Sequence, residues 1–276
     1  MTEHSPVTYA PADDPAMAQA TARAQSSFKY LWRELTWEYR RIIPGLELSA
    51  VKAAFKDPGT ADDYAEHMWL SEITFDGDTV EATLLNSPNH LQSVEAGERF
   101  KLKLQELEDW MYVMGGRLYG GFTIQVLRSQ MSAGERKAHD EAWGFDFPPP
   151  ERVELVPDWD NQQRKPSALG RLFGKAPPTS DVDPDREHPM SENMGPSLRE
   201  AVTSNPDAFF SLGDDGLNML HSLALGGSAA GVRELLASGA DPRVKTAHTG
   251  RTARDLAEMM GWPRVVELLR AAENAN

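Results

Sequence analysis

A pattern that occurs twice in the last third of the chain constrains its fold more than any other feature. The first copy opens at Gly216 and passes through Leu235-Leu236 to the run Gly239-Ala240-Asp241-Pro242. The second copy opens at Gly250 and runs to Leu268-Leu269. In each copy a glycine turn precedes a short helix, and a second helix ends in the paired leucines. Gly239 is expected to end its helix with a positive φ, which glycine adopts without strain.

This pattern resembles the ankyrin repeat, in which a turn and two helices form one unit and neighbouring units stack. The resemblance covers roughly residues 196–274 and implies that residues 196–276 form an all-α ankyrin stack in which both leucine pairs are buried. About three units are usually needed for stability, but only two are readable. Residues 196–212 are therefore interpreted as a degenerate first unit. Ala253, Arg254 and Asp255 depart from the usual Pro-Leu-His pattern, which suits a C-terminal cap that faces water.

The ankyrin resemblance implies protein binding rather than chemistry, through the turn tips and the first helices. The predicted partner-binding residues are Asp214, Asp215, Leu217, Asn218, Ser222, Thr249, Arg251 and Arg254. A Leu217→Arg substitution is expected to abolish binding and leave the fold intact. Deletion of residues 196–276 is expected to show whether the stack carries the binding. An open alternative is that the stack packs on the preceding domain and binds nothing else.

Residues 15–144 predict an α+β domain with an antiparallel sheet, because one helical period is followed by alternating segments. The helix begins at Pro15 and ends before Pro44-Gly45. Strands are expected near residues 50–55, 68–75, 79–85, 99–104 and 108–114, with a tight turn at residues 76–78. Thr123 is expected to cap a short helix that ends at Leu127. A capping box at Ser132 predicts a helix through Trp143.

An ordered set of short motifs in this domain resembles the YegJ-like bacterial family known as domain of unknown function 2314. The motifs span roughly residues 20–132 and are Glu66-His67-Met68-Trp69-Leu70, Asn86-Ser87-Pro88, Leu107-Glu108-Asp109-Trp110 and Gly120-Gly121-Phe122-Thr123 with Arg128. Members of the family occur joined to ankyrin repeats, but the resemblance implies no activity. The family often has a basic residue soon after Gly-Phe-Thr. Here Gln125 holds the nearer position and only Arg128 follows.

A candidate cleft in this domain comprises Glu66, His67, Asp109 and Trp110, if strands 66–75 and 107–113 pair. An imidazole beside a carboxylate could form a general base, but adjacent strand residues point to opposite faces. The simpler interpretation makes His67 a hydrogen-bonded histidine at a sheet edge. In the same interpretation, Asp109 accepts hydrogen bonds from backbone amides. Trp69 and Trp110 are then core anchors. His139, which precedes Asp140, is expected to lie on a helix surface.

Composition excludes several classes of function. The 276-residue chain has a net charge of −14 and no basic cluster, which argues against nucleic-acid binding. It has no cysteine, which excludes thiolate catalysis and cysteine-based metal sites and suits a cytoplasmic location. Its seven histidines stand singly, so neither a metal nor another cofactor is expected. No apolar run of about 18 residues exists, so no membrane association is expected.

Two further segments are expected to lack regular structure. Residues 1–14 are interpreted as a disordered leader. Residues 145–195 are interpreted as a proline-rich linker whose one apolar island is residues 167–174.

The sequence therefore favours a non-enzymatic protein–protein interaction protein with an unidentified partner. A narrower hypothesis makes it an immunity protein that neutralises a bacterial toxin. The competing class is an enzyme or small-molecule binder that uses the N-terminal cleft.

Overall fold

The computed structural model describes residues 14–59, 65–159 and 182–275, which form two compact units. The sheet unit comprises Met1–Leu31 and Ile43–Glu154, and the repeat unit comprises Trp32–Ile42 and Leu155–Asn276. This division differs from the expected domain boundaries, since residues 32–42 belong to the repeat unit and residues 145–154 to the sheet unit. Residues 1–13 of the expected leader and the apolar island at residues 167–174 lie outside the described residues.

Helix α1 spans Pro15–Glu38 and begins where the sequence predicts. The Asp14 carboxylate accepts a hydrogen bond from the Ala16 amide at 2.8 Å and so occupies one unpaired donor of the first turn. Ala20, Ala24 and Phe28 recur at helical spacing and are at most 5% exposed. These three residues form the buried stripe of α1 within the sheet unit.

The sheet is antiparallel throughout its six strands, whose order is β4-β3-β2-β1-β5-β6. The strands are β1 (Leu48–Phe55), β2 (Glu66–Phe75), β3 (Thr79–Leu84), β4 (Arg99–Lys103), β5 (Leu107–Met114) and β6 (Arg117–Gly120). The predicted turn at residues 76–78 is confirmed, with Gly77 at φ 93° and the Asp76 carboxylate bonded to the amides of Asp78 and Thr79. Strand β6 was not predicted.

Two helices follow the sheet, α2 (Phe122–Gln130) and α3 (Ala133–Trp143). The predicted cap of α2 at Thr123 is wrong, because Gly121 is the N-cap at φ 69° and Thr123 lies inside the helix. The capping box at Ser132 is confirmed: its hydroxyl accepts from the Glu135 amide, and the Glu135 carboxylate accepts from the Ser132 amide.

The described part of the repeat unit downstream of residue 181 is helical. Its helices are α4 (Pro189–Ser204), α5 (Asp207–Phe210), α6 (Met219–Leu225), α7 (Ala229–Ala237), α8 (Ala253–Met260) and α9 (Pro263–Ala275). Helix α4 begins seven residues before the expected first unit and contains Pro196 in its interior. Only one leucine of each pair, Leu235 or Leu269, is fully buried, since the second helix turns Leu236 and Leu268 partly outward. Gly239 has the expected positive φ, at 96°.

Candidate functional site

The two glycine turns of the repeat unit are joined through their backbones. The first closes through a hydrogen bond from the Gly213 amide to the Leu217 carbonyl at 2.8 Å, and the second through one from the Thr246 amide to the Arg251 carbonyl at 2.9 Å. The Ala247 amide of the second turn donates to the Gly216 carbonyl of the first at 2.9 Å. The side chains at the turn tips are therefore presented on a connected backbone.

The first turn divides its predicted partner-binding residues into exposed and buried pairs. Asp214 and Asp215 are exposed, whereas Leu217 and Asn218 are each only 6% exposed. Asn218 caps α6, since its side chain accepts a hydrogen bond from the His221 amide at 3.1 Å. The expectation that Leu217→Arg would leave the fold intact is wrong, because the arginine would place a charge in the core.

The other four predicted partner-binding residues are half-buried, and each already has a bond within the unit. The Ser222 hydroxyl donates to the Asn218 carbonyl, and the Thr249 hydroxyl lies 2.7 Å from that of Thr246. Arg251 contacts the sulfur of Met259, and Arg254 pairs with Glu273 at 3.3 Å. The surface available to a partner is therefore widest at Asp214 and Asp215.

His221 connects the first repeat to the second. Its Nδ1 accepts from the Asn218 amide at 3.1 Å, so Nε2 carries the proton and donates to the Val244 carbonyl at 3.0 Å. Burial lowers the pKa of His221, against the opposing effects of the Val244 bond and of Asp215. Through this bond His221 joins α6 to the turn of the second repeat.

The candidate cleft of the sheet unit is not assembled. Strands β2 and β5 do not pair, because β1 lies between them. Trp110 is 1% exposed and its indole donates to the Ala24 carbonyl of α1 at 2.9 Å, on the sheet face opposite to Asp109. Glu66 accepts hydrogen bonds from the amides of residues 89–91 and so positions that loop. The four predicted residues therefore do not converge.

Asp109 serves as a buried cap for α2, and the expectation that it binds backbone amides is confirmed. Its carboxylate accepts from the amides of Trp110, Phe122 and Thr123 and from the Thr123 hydroxyl, at 2.6–3.0 Å. The Lys52 ammonium donates to the same hydroxyl at 3.3 Å. Complete burial raises the pKa of Asp109, while the Thr123 bonds and the charge of Lys52 oppose that shift.

His67 pairs with a residue that the sequence interpretation did not select. Its Nδ1 lies 2.6 Å from the Glu108 carboxylate, and about half of the His67 side chain is exposed. The register between β1 and β5 shifts after Lys52, so Glu108 is the extra residue of a β-bulge. A bulge can turn two successive side chains towards one face, which alternation alone does not predict. Strand β2 lies between β1 and β3, but its pairing with β3 covers only Leu70–Phe75, so His67 pairs with β1 at the end of β2 that β3 does not reach.

Trp69 is half-buried on the same face as Lys52, its cross-strand neighbour. It packs with Trp143 and Phe145 against the small core beneath α2. The expectation that Trp69 is a core anchor therefore holds only in part, whereas Trp110 is fully buried as expected.

Arg128 links three segments of the sheet unit. It is 3% exposed, makes two bonds to the Asp140 carboxylate at 2.6 and 2.8 Å, and donates to the Pro148 carbonyl. His139 bonds Asp140 at 3.0 Å and packs edge-on against Phe147. The expectation that His139 lies on the helix surface is wrong, because its side chain is only 11% exposed. The basic residue after Gly-Phe-Thr therefore has a structural role.

No group of three or more histidine or acidic side chains in the described residues is arranged to hold a metal ion. Within the described ranges, no helix combines the length and apolar character needed to cross a bilayer.

Comparison with known proteins identifies the family of the sheet unit. Residues 14–147 match the family described as "Uncharacterized protein conserved in bacteria (DUF2314)". Over 78 residues the chain is 37% identical to "Uncharacterized protein YegJ" of Escherichia coli strain K12, which covers 28% of this chain and 48% of that protein. The sheet unit therefore contains a DUF2314 domain.

A second relative spans both regions. The chain is 38% identical over 269 residues to "Putative ankyrin repeat protein NMB1133/NMB1171" of Neisseria meningitidis serogroup B, covering 98% of each protein. The chain belongs to the family of this Neisseria protein. No solved structure matches the chain.

Proposed function

We propose that this chain is an interaction protein without catalytic activity that binds another protein through an ankyrin stack. The name of the Neisseria relative supports ankyrin repeats, and such stacks bind through turn tips and first helices. The observation that carries the proposal is the connected pair of turns, in which the Ala247 amide bonds the Gly216 carbonyl. A connected backbone reduces the conformational entropy that binding would otherwise remove from the turn side chains.

Charge at the turn tips favours a basic surface on the partner. Asp214 and Asp215 are both exposed on the first turn, where Asp215 also accepts a hydrogen bond from the Leu217 amide, and the whole chain carries a net charge of −14. An acidic protein attracts basic partners over a distance of about one Debye length, roughly 8–10 Å at physiological salt. Two adjacent carboxylates then give this attraction a defined docking point.

The test uses the full chain as bait, followed by affinity measurement with the purified captured protein. Asp214→Lys reverses a charge at the turn tip and removes no hydrogen bond shown for the native residue. The expected result is at least about ten-fold weaker binding, or roughly 1.4 kcal/mol. The matched control is Lys137→Glu on α3, whose side chain is 77% exposed and which should bind as the native protein does.

Unchanged affinity in both Asp214→Lys and Ser222→Arg would contradict the assignment of the site to the stack. Deletion of residues 196–276 is a poor test, because it removes part of the packing around the buried residues 32–37 of the same unit.

The toxin-immunity hypothesis is a narrower form of the same proposal. It predicts that a toxin encoded nearby is lethal only when this chain is absent. Growth that does not depend on this chain beside an active toxin would contradict it.

A further inference from the structure

The N-terminal end of the stack can be located from His221. The Nε2 of His221 points to Val244 in the next turn, so this side of α6 faces the second repeat. With about 100° between successive helical residues, Met219, Leu223 and Gly226 lie on the opposite side of α6. That side is where the first helix of a preceding repeat would pack, and the sequence contains no readable preceding repeat.

Residues 32–42 lie against this side of α6. The segment approaches Gly226, where an added Cβ would lie 2.8 Å from the Thr36 side chain. Four residues further along, the Arg40 guanidinium lies 3.3 Å from the sulfur of Met219. The segment therefore runs in the direction opposite to α6, along the side of α6 that faces away from the second repeat, and glycine at position 226 permits the approach.

Helix α4 lies beside α7, the second helix of the first repeat. Its Arg199 pairs with Glu234 of α7 at 2.7 Å, and Gly195 faces the Glu234 side chain. We propose that residues 32–42 and α4 together form the N-terminal capping repeat of the stack. Residues 32–42 take the place of the first helix and α4 takes the place of the second, although more than 100 residues separate them in sequence.

Buried charges make this contact specific to the sequence of residues 32–42. Arg33, Glu34 and His188 are at most 3% exposed. Glu34 lies 3.3 Å from Nε2 of His188, and Arg33 donates to the carbonyls of Pro184 and Arg186. A buried ion that loses its partners is strongly destabilising, so an unrelated helix would not replace this segment.

Aromatic contacts complete the capping repeat. The ring of Trp37 stacks on His188 with a centroid separation of 5.6 Å, and Trp159 meets the same ring edge-on at 4.9 Å. Trp37 is 1% exposed. The capping repeat supplies the third unit that a two-repeat stack lacks, and it leaves the turn tips as the surface for partners. This inference holds whether or not the stack binds a partner.

The first experiment uses the full chain and compares two substitutions that shorten a side chain of α1. The readout is amide hydrogen exchange. Trp37→Ala should accelerate exchange in α6 and α7 by about ten-fold or more, because their cap is lost. Phe28→Ala is the matched control, since Phe28 is also 1% exposed but packs edge-on against Phe75 in the sheet unit. It should accelerate exchange in β2 instead. Native exchange rates in α6 and α7 of Trp37→Ala would overturn the proposal.

The second experiment tests the contact between Gly226 and Thr36 directly. Its result does not depend on whether local unfolding at the capping repeat extends to other helices. Gly226→Ala should accelerate exchange in α6 by about ten-fold, because its Cβ would clash with Thr36. Combined with Thr36→Ala, the same change should have a clearly smaller effect, since two of the three clashing atoms are gone. Additive effects of the two substitutions would show that the residues do not touch and would overturn the proposal.

Discussion

Helix α2 of the sheet unit and helices α6 and α8 of the repeat unit are all capped by side chains, but those side chains come from different distances along the chain. Asp109 reaches the start of α2 from a strand 13 and 14 residues earlier and is fully buried. In the repeat unit, Asn218 and Thr252 stand directly before α6 and α8, and a residue three positions on closes each capping box. A distant cap exists only when the sheet is formed, so its loss should cost more.

The two repeats also differ from each other at equivalent positions. His221 closes the capping box of α6 and reaches on to the Val244 carbonyl of the next turn. Asp255 closes the capping box of α8 through the Thr252 amide at 2.9 Å. The side chain at this position therefore bonds in two directions in the first repeat, whereas in the second repeat it closes a local cap.

The largest effect is expected from Asp109→Ala. The substitution leaves three amides and one hydroxyl in the core without their acceptor, and each such loss costs about 1–3 kcal/mol. We expect the sheet unit to lose about 3 kcal/mol or more of its free energy of unfolding in urea. Asp109→Asn keeps one acceptor oxygen and should lose less. Equal losses in the two variants would contradict the role of Asp109 as an acceptor.

The next largest effect is expected from His221→Gln, which should cost the repeat unit about 1–3 kcal/mol at neutral pH because two backbone partners lose their bonds. The same residue should make stability depend on pH. Because folding lowers the pKa of His221 below 6.5, the unfolded chain takes up this proton first as the pH falls. The contribution is therefore present above pH 6.5 and is lost as the pH falls below it.

Urea titrations between pH 7.5 and about 5 measure this dependence. The native repeat unit should lose stability as the pH falls, and His221→Gln should flatten that slope. His248→Gln is the control, since His248 is an exposed histidine of the same unit. An identical slope in the native protein and in His221→Gln would show that His221 is not the titrating group.

The sequence predicted the features that depend on neighbouring residues and missed those that depend on distant contacts. The turn at Asp76, the capping box at Ser132 and the positive φ of Gly239 depend on neighbouring residues, and all three were predicted correctly. The cap of α2 was misplaced because its acceptor, Asp109, lies on a strand. The pairing of His67 with Glu108 was missed because a bulge changes which face a strand residue occupies. The burial of Leu217 was missed because the repeat pattern places this residue at a turn tip, where exposure was expected.

Loss of a local helix cap should reduce stability less than loss of Asp109, and by a similar amount in the two units. Thr252 accepts from the Asp255 amide at 3.2 Å, and Ser132 accepts from the Glu135 amide at 3.3 Å. Thr252→Ala and Ser132→Ala should each cost about 1 kcal/mol, measured as local opening by amide exchange in α8 and α3. A loss above about 3 kcal/mol in either variant would mean that the cap is coupled to distant packing, as at Asp109.

The smallest expected effect on stability comes from backbone strain, and the two units differ in which residues adopt a positive φ. In the described part of the repeat unit every residue with positive φ is a glycine, whereas the sheet unit has Glu72 at φ 51° in the bulge between β2 and β3. A side chain in this left-handed region costs about 1 kcal/mol. Glu72→Gly and Glu72→Ala both remove the 2.8 Å bond to the Thr83 hydroxyl, so their difference isolates the strain.

We expect Glu72→Gly to be the more stable of the two by about 1 kcal/mol in urea unfolding. The same pair of substitutions at Thr74, a residue of β2 without a positive φ, should show the opposite order, because glycine weakens a strand. If alanine is favoured at both positions, the positive φ at Glu72 carries no strain. The sheet unit would then resemble the repeat unit in this respect.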